Sequence, residues 1–284
     1  MISDVTPPGR RAQAFGLMYV MVNLGFAIAP PVGGFLAGYS FQWLFWGDAL
    51  TTALGGMVIL WFIRESHPGM TPNATVARTP EIPVSAAAKH IARDTTFLLF
   101  CLCNLITSMV FMQAIFTLPV YLSSRGYTPQ DFGRVICVNG LLIVLFQFAV
   151  THATKRFHRI TVLIVGDLLI GLGISLTAIA GSPQLLIGTI AIWTLGEMLQ
   201  APHKPALVAD LAPVELRARY MGMLGLSWAL SQAIGAPIGG YVLARFGPNV
   251  LWPGCLLMTL LSCGLYCVLW QRLSRAADQQ LAVP

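Results

Sequence analysis

The stretch FLLFCLCNLITSMVFMQAIFTLPVYL, which runs from Phe97 to Leu122, decides the fold class of this chain. It contains 26 residues and no charged side chain. About 20 apolar residues are enough for an α-helix to cross the hydrocarbon core of a bilayer. Backbone groups in lipid must be paired within their own segment, so a span of this kind is helical. The stretch therefore predicts a transmembrane α-helix.

Seven other apolar stretches of comparable length surround this one. Together the eight predict an all-α, polytopic membrane helix bundle with eight transmembrane helices. The predicted segments are Gln13–Gly38, Trp43–Ile63, Phe97–Leu122, Val135–His152, Ile160–Ala180, Leu185–Ala201, Tyr220–Ala244 and Val250–Trp270.

The composition of the whole chain favours the same class of protein. Of the 284 residues, 56% are hydrophobic and 10% are charged, whereas soluble domains carry about 25% charged residues. So few charges do not cover the surface of a soluble globule, which argues against a cytosolic enzyme, a disordered chain and a nucleic-acid-binding protein. Because we find no phosphate-binding loop, hydrolase motif or metal-ligand pattern, we expect no enzymatic activity, no cofactor and no metal.

The basic residues predict the orientation of the bundle. If the side that precedes the first segment is called inside, the 17 Lys and Arg residues divide into 14 inside, including Lys204, and 3 outside, namely Arg125, Arg134 and Arg245. Cytoplasmic loops carry the excess of Lys and Arg in membrane proteins. We therefore expect both termini in the cytoplasm and the bundle in the cell (inner or plasma) membrane.

An internal repeat relates the two ends of the chain. A shift of 206 residues places Asp4–Trp46 over Asp210–Trp252 without a gap. One period holds six predicted helices, and both copies run in the same direction, as in transporters built from parallel repeats. Within the second half, the 116 residues from Asp94 to the start of the second copy hold four predicted helices. The repeat therefore predicts about 116 further residues and four helices ahead of the first copy in a complete protein. Identical residues in the two copies include Asp4/Asp210, Pro7/Pro213, Arg11/Arg217, Gly16/Gly222, Pro31/Pro237, Gly33/Gly239 and Gly34/Gly240.

The repeat divides the chain into four predicted regions. Residues 1–63 hold the last two helices of an N-terminal six-helix half, and residues 97–271 hold a complete C-terminal half. Residues 64–96, which contain several prolines, form a cytoplasmic linker, and residues 272–284 form a cytoplasmic tail. Because a transport path of this type lies between two six-helix halves, we do not expect the chain to transport by itself.

The glycine pairs of the two copies resemble a signature of the major facilitator superfamily. The hexad Ala29-Pro30-Pro31-Val32-Gly33-Gly34, preceded by Gly25, is similar to the G-P-x-x-G-G motif in the fifth helix of drug–proton antiporters, with Ala29 at the first Gly. The later copy, Gly235-Ala236-Pro237-Ile238-Gly239-Gly240, resembles its eleventh-helix counterpart. The antiporter-like residues are therefore Gly25, Pro30, Pro31, Gly33, Gly34, Gly235, Pro237, Gly239 and Gly240.

A cytoplasmic loop carries a second, degenerate resemblance to the same family. Lys155-Arg156-Phe157-His158-Arg159 is similar to the D-R-x-G-R-[RK] loop signature, with Lys155 where Asp is usual and His158 where Gly is usual. The matching basic residues are Lys155, Arg156 and Arg159.

The resemblance implies helices five to twelve of a twelve-helix secondary transporter that works by alternating access. It implies proton-coupled efflux of a small organic molecule, so that the partners are the lipid bilayer, a small-molecule substrate and protons, with no nucleic acid. A symporter or uptake carrier of the same family and a truncated remnant without transport activity are the alternatives.

The glycines allow two helices to approach closely, as small residues do at membrane helix interfaces. Proline removes a backbone hydrogen bond and permits a bend. A tight, bent contact of this kind either closes one side of the transport path or serves helix packing alone.

Acidic residues inside membrane segments are rare and mark functional sites. Asp48 lies near the outer end of its segment, and Asp167 lies roughly 10 Å into its own. Glu197 lies near the cytoplasmic end of its segment. Glu197, Asp167 and Asp48 are candidates to carry a proton. For Glu197 the alternative is a latch with basic loop residues, and for Asp48 it is a position at the membrane interface.

Polar residues at helical spacing are candidates for a substrate path, because the resemblance implies that such helices face the central path. Hydrogen bonds between helices are the alternative role for side chains of this type. The candidates are Tyr19, Asn23, Asn104, Ser108, Asn139, Gln147, Ser227 and Ser231.

Overall fold

The computed structural model describes residues 6–62 and 82–281 of the chain. Within these two ranges every element of regular secondary structure is helical, which confirms the all-α prediction. The α-helices are α1 Arg11–Tyr39, α2 Phe41–Phe62, α3 Val84–Arg93, α4 Thr95–Met112, α5 Leu118–Ser124, α6 Pro129–Thr154, α7 Arg159–Ser175, α8 Pro183–Leu211, α9 Arg217–Phe246 and α10 Pro248–Leu281.

Six helical stretches in the described ranges are long and apolar enough to cross a membrane. Helices α1 and α9 are not among the six, although they contain 29 and 30 residues and at 1.5 Å per residue exceed the thickness of a bilayer core. The six stretches are Phe45–Phe62, Thr95–Ser124, Asp131–Thr154, Arg159–Ile179, Pro183–Leu211 and Pro248–Arg275.

Short polar side chains start the helices at the positions where helix caps are favoured. The Asp94 carboxylate accepts the Phe97 amide at 2.9 Å and starts α4. At the start of α6, Thr128 and Asp131 form a reciprocal capping box next to Pro129, which satisfies backbone donors that the first turn leaves unpaired. The Ser182 hydroxyl caps α8 by accepting the Leu185 amide at 3.3 Å.

The two copies of the repeat adopt the same local structure. A 3-10 turn at Pro8–Arg10 precedes α1, and a 3-10 turn at Val214–Leu216 precedes α9. The shift of 206 residues superimposes these two turns in the sequence. The repeat is therefore a repeat of structure as well as of residues.

Helix α8 is longer than the sequence predicts. The predicted segment ends at Ala201 because Pro202 follows, but the helix continues through Pro202 and Pro205 to Leu211. Membrane helices tolerate proline where neighbouring helices cover the freed backbone groups. As a result Lys204, which the charge count places in a loop, lies inside the helix, and that assignment was wrong.

The predicted linker and tail also contain helical structure. Helix α3, Val84–Arg93, lies within the linker and buries Ala87 and Ile91 against the end of the bundle. The Arg219 guanidinium donates to the Ile82 carbonyl at 2.7 Å. Helix α10 runs past the predicted start of the tail to Leu281. Residues 63–81, the first part of the linker, lie outside the described ranges.

Glycines allow the backbones of α7 and α8 to pack directly against each other. A Cβ atom added at Gly196 of α8 would lie 2.5 Å from the Gly166 carbonyl oxygen of α7. A Cβ atom at Gly173 would likewise lie 2.5 Å from the Trp193 amide nitrogen. The two backbones therefore touch, as small residues allow in membrane bundles, and this contact places the middle of α8 against the bundle.

Candidate functional site

A cavity of about 380 Å³ lies between α1, α4, α7, α8 and α9. Its volume falls in the range of about 300–1,000 Å³ that is common for small-molecule sites. Most of its wall is apolar. The rings of Phe111 and Trp228 lie 5.8 Å apart, centroid to centroid, on this wall. The polar residues that line the cavity are Tyr19, Asn104, Thr107, Ser108, Glu197, Gln200 and Lys204.

Glu197 brings two parts of the chain together in the cavity wall. The Tyr19 hydroxyl of α1 donates to one carboxylate oxygen of Glu197, and the Asn139 amide of α6 donates to the other at 2.7 Å. Asn139 also donates to the Thr194 hydroxyl at 3.0 Å. The carboxylate therefore accepts one neutral donor from the first repeat copy and one from the second half.

One role that the sequence predicts for Glu197 is a latch, which requires an ion pair with a basic loop residue. The ion pairs of the described residues are formed by other acidic side chains. Glu197 is in none of these ion pairs. The Asp210 carboxylate instead contacts the Arg11 guanidinium at 2.5 Å and the Arg159 guanidinium at 3.0 Å. Arg11 also donates to the Ala209 carbonyl at 3.1 Å. These ion pairs join the first residues of α1 and α7 to the end of α8.

Asp167 lies fully buried behind the cavity. Its two carboxylate oxygens accept the Thr107 hydroxyl at 2.9 Å each, and Gln200 donates to one of them. The Ser262 hydroxyl lies 3.1 Å from that of Thr107. Because Thr107 and Gln200 line the cavity and Asp167 does not, the two neutral side chains separate the acid from the open space.

Lys204 and Ser108 are the polar groups of the cavity that lack partners among the described residues. The Ser108 hydroxyl is 1% exposed and has no hydrogen-bond partner there. Lys204 is half-buried, and its ammonium group makes no hydrogen bond or ion pair within the described ranges. Asp167, Cys103 and Glu197 are the groups that act electrostatically on it.

The structure divides the predicted path residues into three groups. Tyr19, Asn104 and Ser108 line the cavity, and Asn139 reaches it through Glu197. Those that do not line it bond within or between helices: Asn23 to the Tyr19 carbonyl, Gln147 to Thr151 and the Met198 carbonyl, Ser227 to Asn104 and the Leu224 carbonyl, and Ser231 to the Trp228 carbonyl.

In the second glycine motif, the close helix contact is made by Gly235 and Gly239. A Cβ atom at Gly235 would lie 3.1 Å from the Met109 Cα atom of α4, and one at Gly239 would overlap the Gln113 amide. The Gln113 amide in turn donates to the Gly235 carbonyl at 2.8 Å. Among the described residues no atom lies within 4 Å of a Cβ atom added at Gly240, so a close contact at Gly240 stays a prediction.

Gln113 also begins an irregular stretch of backbone. Residues Gln113–Thr117 form a π-helical turn between α4 and α5, and π-helical turns in membrane and soluble helices are frequent at functional sites. Pro237 lies within α9 and its surface is exposed.

The first glycine motif lies in α1, and only part of its surroundings belongs to the described residues. Gly25 faces open space. The surroundings of Pro30, Pro31, Gly33 and Gly34 lie outside what the structure describes, so the close contact predicted for this pair stays a prediction.

The other predicted residues lie away from the cavity. Asp48 is exposed on α2. Lys155 and Arg156 are exposed at the end of α6, and the Arg156 guanidinium lies 5.2 Å from the centroid of the Phe157 ring. Arg159 forms an ion pair with Asp210.

Sequence reasoning missed several residues of this region. Lys204 was assigned to a loop, and Gln200, Thr107 and Trp228 were not singled out. The available signal was the apolar run Ala206–Ala209 after Pro205, because membrane helices tolerate proline and can continue through it.

Comparison with a family model supports the resemblance. The model described as Major Facilitator Superfamily matches residues 1–142 and 126–282. The chain is 26% identical over 271 residues to an "Uncharacterized MFS-type transporter YhjO" of Bacillus subtilis (strain 168), covering 93% of this chain and 63% of that protein. The matched family and its relatives are transporters rather than enzymes.

Two further relatives carry more specific names. One, a "Na(+), Li(+), K(+)/H(+) antiporter" of Planococcus maritimus, is 26% identical over 271 residues, with 87% of this chain and 63% of the relative covered. Another, "Multidrug resistance protein MdtH" of Edwardsiella ictaluri (strain 93-146), is 24% identical over 243 residues, with 85% and 58% covered. The chain thus spans about three fifths of the length of these relatives.

Among solved structures, the chain is similar to the human organic anion transporter MFSD10 (TETRAN). The match has a TM-score of 0.73 at 19% sequence identity and covers 93% of this chain and 66% of the other. At this identity the likeness establishes the fold.

Proposed function

Because this chain belongs to the Major Facilitator Superfamily, we propose that it forms the larger part of a proton-coupled secondary transporter that exports a small organic molecule. The eight long helices α1, α2, α4, α6, α7, α8, α9 and α10 would correspond to helices five to twelve of a twelve-helix fold, with both ends of the chain in the cytoplasm. The share of the relatives' length that the chain spans, 58–63%, agrees with eight helices of twelve.

The observation that carries the proposal is the position of the Glu197 carboxylate. It lies in the cavity wall at the junction of α1 with the second half, and it accepts a hydrogen bond from Tyr19 on α1 and another from Asn139 on α6. Hydrogen bonds to an ionised acceptor are roughly twice as strong as those between neutral groups. Protonation of Glu197 would therefore weaken its bond to Tyr19 and loosen α1 from α8.

This coupling suits alternating access. One half must move relative to the other around a central site, and the contact that changes with protonation should join the two halves. Tyr19 belongs to the first copy of the repeat and Glu197 to the second half. A proton on Glu197 would thus favour one arrangement of the halves, and its release would favour the other.

The names of two relatives support the proposed function independently of the geometry of the cavity. One relative is named as a cation/H⁺ antiporter and another as a multidrug resistance protein. The first name describes exchange of cations for protons and the second describes resistance to drugs, and both agree with a proton-coupled exporter of small molecules.

The test is proton movement in liposomes that contain the protein carrying this chain. A pH-sensitive dye is enclosed in the liposomes, and ethidium, fluorescein or 2-naphthoate is added on one side. We expect at least one of these compounds to drive proton movement through the wild-type protein. Glu197→Gln keeps the shape of the side chain but removes its proton exchange, so proton movement should stop.

The matched control is Glu215→Gln, because Glu215 is exposed in the 3-10 turn before α9. This control should retain proton movement. A Glu197→Gln protein whose transport still responds to a pH gradient would remove Glu197 from the proton path. Proton movement in the same direction as the compound would favour the symporter instead of the antiporter.

A further inference from the structure

We infer that the substrate of this cavity is a small organic anion, whose anionic group binds Lys204 and Ser108 and whose apolar body lies against Phe111 and Trp228. This inference rests on the proposed function in that it takes the cavity as the substrate site. It adds the charge of the substrate and the residues that recognise that charge.

The first argument is the balance of donors and acceptors in the cavity. The carboxylate oxygens of Glu197 already accept hydrogen bonds from Tyr19 and Asn139. The Asn104 amide donates to the Ser227 hydroxyl at 2.6 Å. The Lys204 ammonium group and the Ser108 hydroxyl, by contrast, donate to no described residue. A ligand that satisfies free donors must bring acceptors, as a carboxylate, sulfonate or phosphate does.

The second argument is the environment of Lys204. A lysine inside a membrane bundle is costly and is normally paired or functional. The acidic groups that face Lys204 are Asp167 on α7 and Glu197 on its own helix, and Cys103 on α4 is the other titratable neighbour. Neutral donors hold both acids, and Thr107 and Gln200 stand between Asp167 and the cavity. Lys204 therefore carries a charge that faces the cavity and has no partner among the described residues. This charge is available to a ligand.

Ser108 is an independent indication of a ligand. Serine inside a membrane helix usually bonds a carbonyl one turn earlier, and Ser227 and Ser231 each bond a carbonyl three residues earlier. The Ser108 hydroxyl makes no such bond, although it is 1% exposed and lines the cavity. Buried polar groups are normally hydrogen-bonded, so a bound acceptor accounts for this one.

The apolar wall of the cavity indicates the chemistry of the rest of the ligand. Phe111 and Trp228 lie next to each other at 5.8 Å between ring centroids, and Met221 and Leu224 line the cavity from the same helix as Trp228. Aromatic rings prefer offset or edge-on contacts at such distances. An aromatic or otherwise apolar body with one anionic group matches this combination of wall and free donors.

The experiment uses three probes of equal shape and different charge. The protein that carries this chain is placed in phosphatidylcholine nanodiscs, and quenching of tryptophan fluorescence measures binding of 2-naphthoate, 2-naphthamide and 2-naphthylmethylammonium. We expect naphthoate to bind at least 10-fold more tightly than naphthamide, and the ammonium probe to bind most weakly. Equal affinities, a preference for the ammonium probe, or no binding of naphthoate would each overturn the inference.

Four variants locate the charge that is recognised. Lys204→Met should abolish the preference for naphthoate, and Lys204→Arg should retain it. Ser108→Ala should reduce it. Lys89→Met is the matched control, because Lys89 is exposed on α3, and it should bind as the wild type does. A preference that survives in Lys204→Met overturns the assignment to Lys204.

The binding experiment tests the anion inference, and the transport experiment tests the proposed function, so that each can be contradicted without the other. Loss of the naphthoate preference with intact proton coupling through Glu197 would overturn the anion inference alone. A clear naphthoate preference without proton-linked transport would leave the anion site standing and contradict the proposed function.

Discussion

The contact between α7 and α8 makes a sharp test of the fold, through Gly196→Ala. The added Cβ atom would lie 2.5 Å from the Gly166 carbonyl oxygen and 2.8 Å from the Ile170 amide nitrogen. Both are backbone atoms, so no side-chain rotation relieves the overlap. Ordinary contact begins near 3.4 Å, and the two helices must therefore separate by close to 0.9 Å at this point.

The expected loss of stability follows from two opposing effects. Overpacking a tight interior contact costs about 1–3 kcal/mol, and a contact with backbone on both sides belongs at the upper end of that range. Alanine has a helix propensity about 1 kcal/mol better than that of glycine. We therefore expect Gly196→Ala to lower the free energy of unfolding by about 2 kcal/mol.

The matched control lies on the same helix. Among the described residues no atom lies within 4 Å of a Cβ atom added at Gly188, so Gly188→Ala keeps the gain in helix propensity without an overlap there. The two variants should differ by about 3 kcal/mol in the free energy of unfolding, with the control at or above the wild type.

Thermal melting of the purified variants in one detergent measures this difference. At about 2–4 °C per kcal/mol for chains of this size, Gly188→Ala should melt roughly 6–12 °C above Gly196→Ala. A Gly196→Ala protein that melts at or above its control would refute the close contact between α7 and α8. Because Gly196 directly precedes Glu197, the separation should also disturb the bonds of Glu197 to Tyr19 and Asn139.

Two further predictions concern the gate and the topology. Gly239→Leu should displace the Gln113 amide and push α9 away from α4, whereas Gly240→Leu should be tolerated. If this contact gates transport, Gly239→Leu should lower transport more than it lowers surface expression. Equal losses of expression and transport would favour a role in helix packing alone. A reporter enzyme that is active only in the cytoplasm should be active when fused at Pro72, as the distribution of basic residues predicts, and activity confined to the opposite side would contradict the proposed topology.

Much of the helix pattern was predictable from local sequence. Seven of the eight predicted segments overlap one long helix each, and Phe97–Leu122 overlaps α4, the π-helical turn and α5. An uninterrupted apolar run of about 20 residues has few alternatives to a membrane helix. The errors occurred at the ends. The predicted segment ends before Pro202, whereas α8 stays helical to Leu211 with most of the residues after Pro202 buried.

The candidate site was predictable in part. Tyr19, Ser108, Asn139 and Glu197 were singled out because polar side chains are rare in apolar segments. Their grouping was not predictable. Gln147 satisfied the same criterion, yet it bonds Thr151 and the Met198 carbonyl away from the cavity.

The sequence by itself determined the helical class of this protein, the order of its helices, the repeat and the family, because each depends on residues that are close in the chain or on a fixed shift along it. Only the tertiary structure decided that Tyr19 and Glu197, 178 residues apart, share a hydrogen bond, that Gly235 and not Gly240 touches α4, and that Lys204 faces the cavity. The physical reason is that hydropathy makes a segment helical but does not determine its rotation about its own axis. That rotation is set by the packing of small residues against neighbouring backbones, and it determines which polar side chains meet.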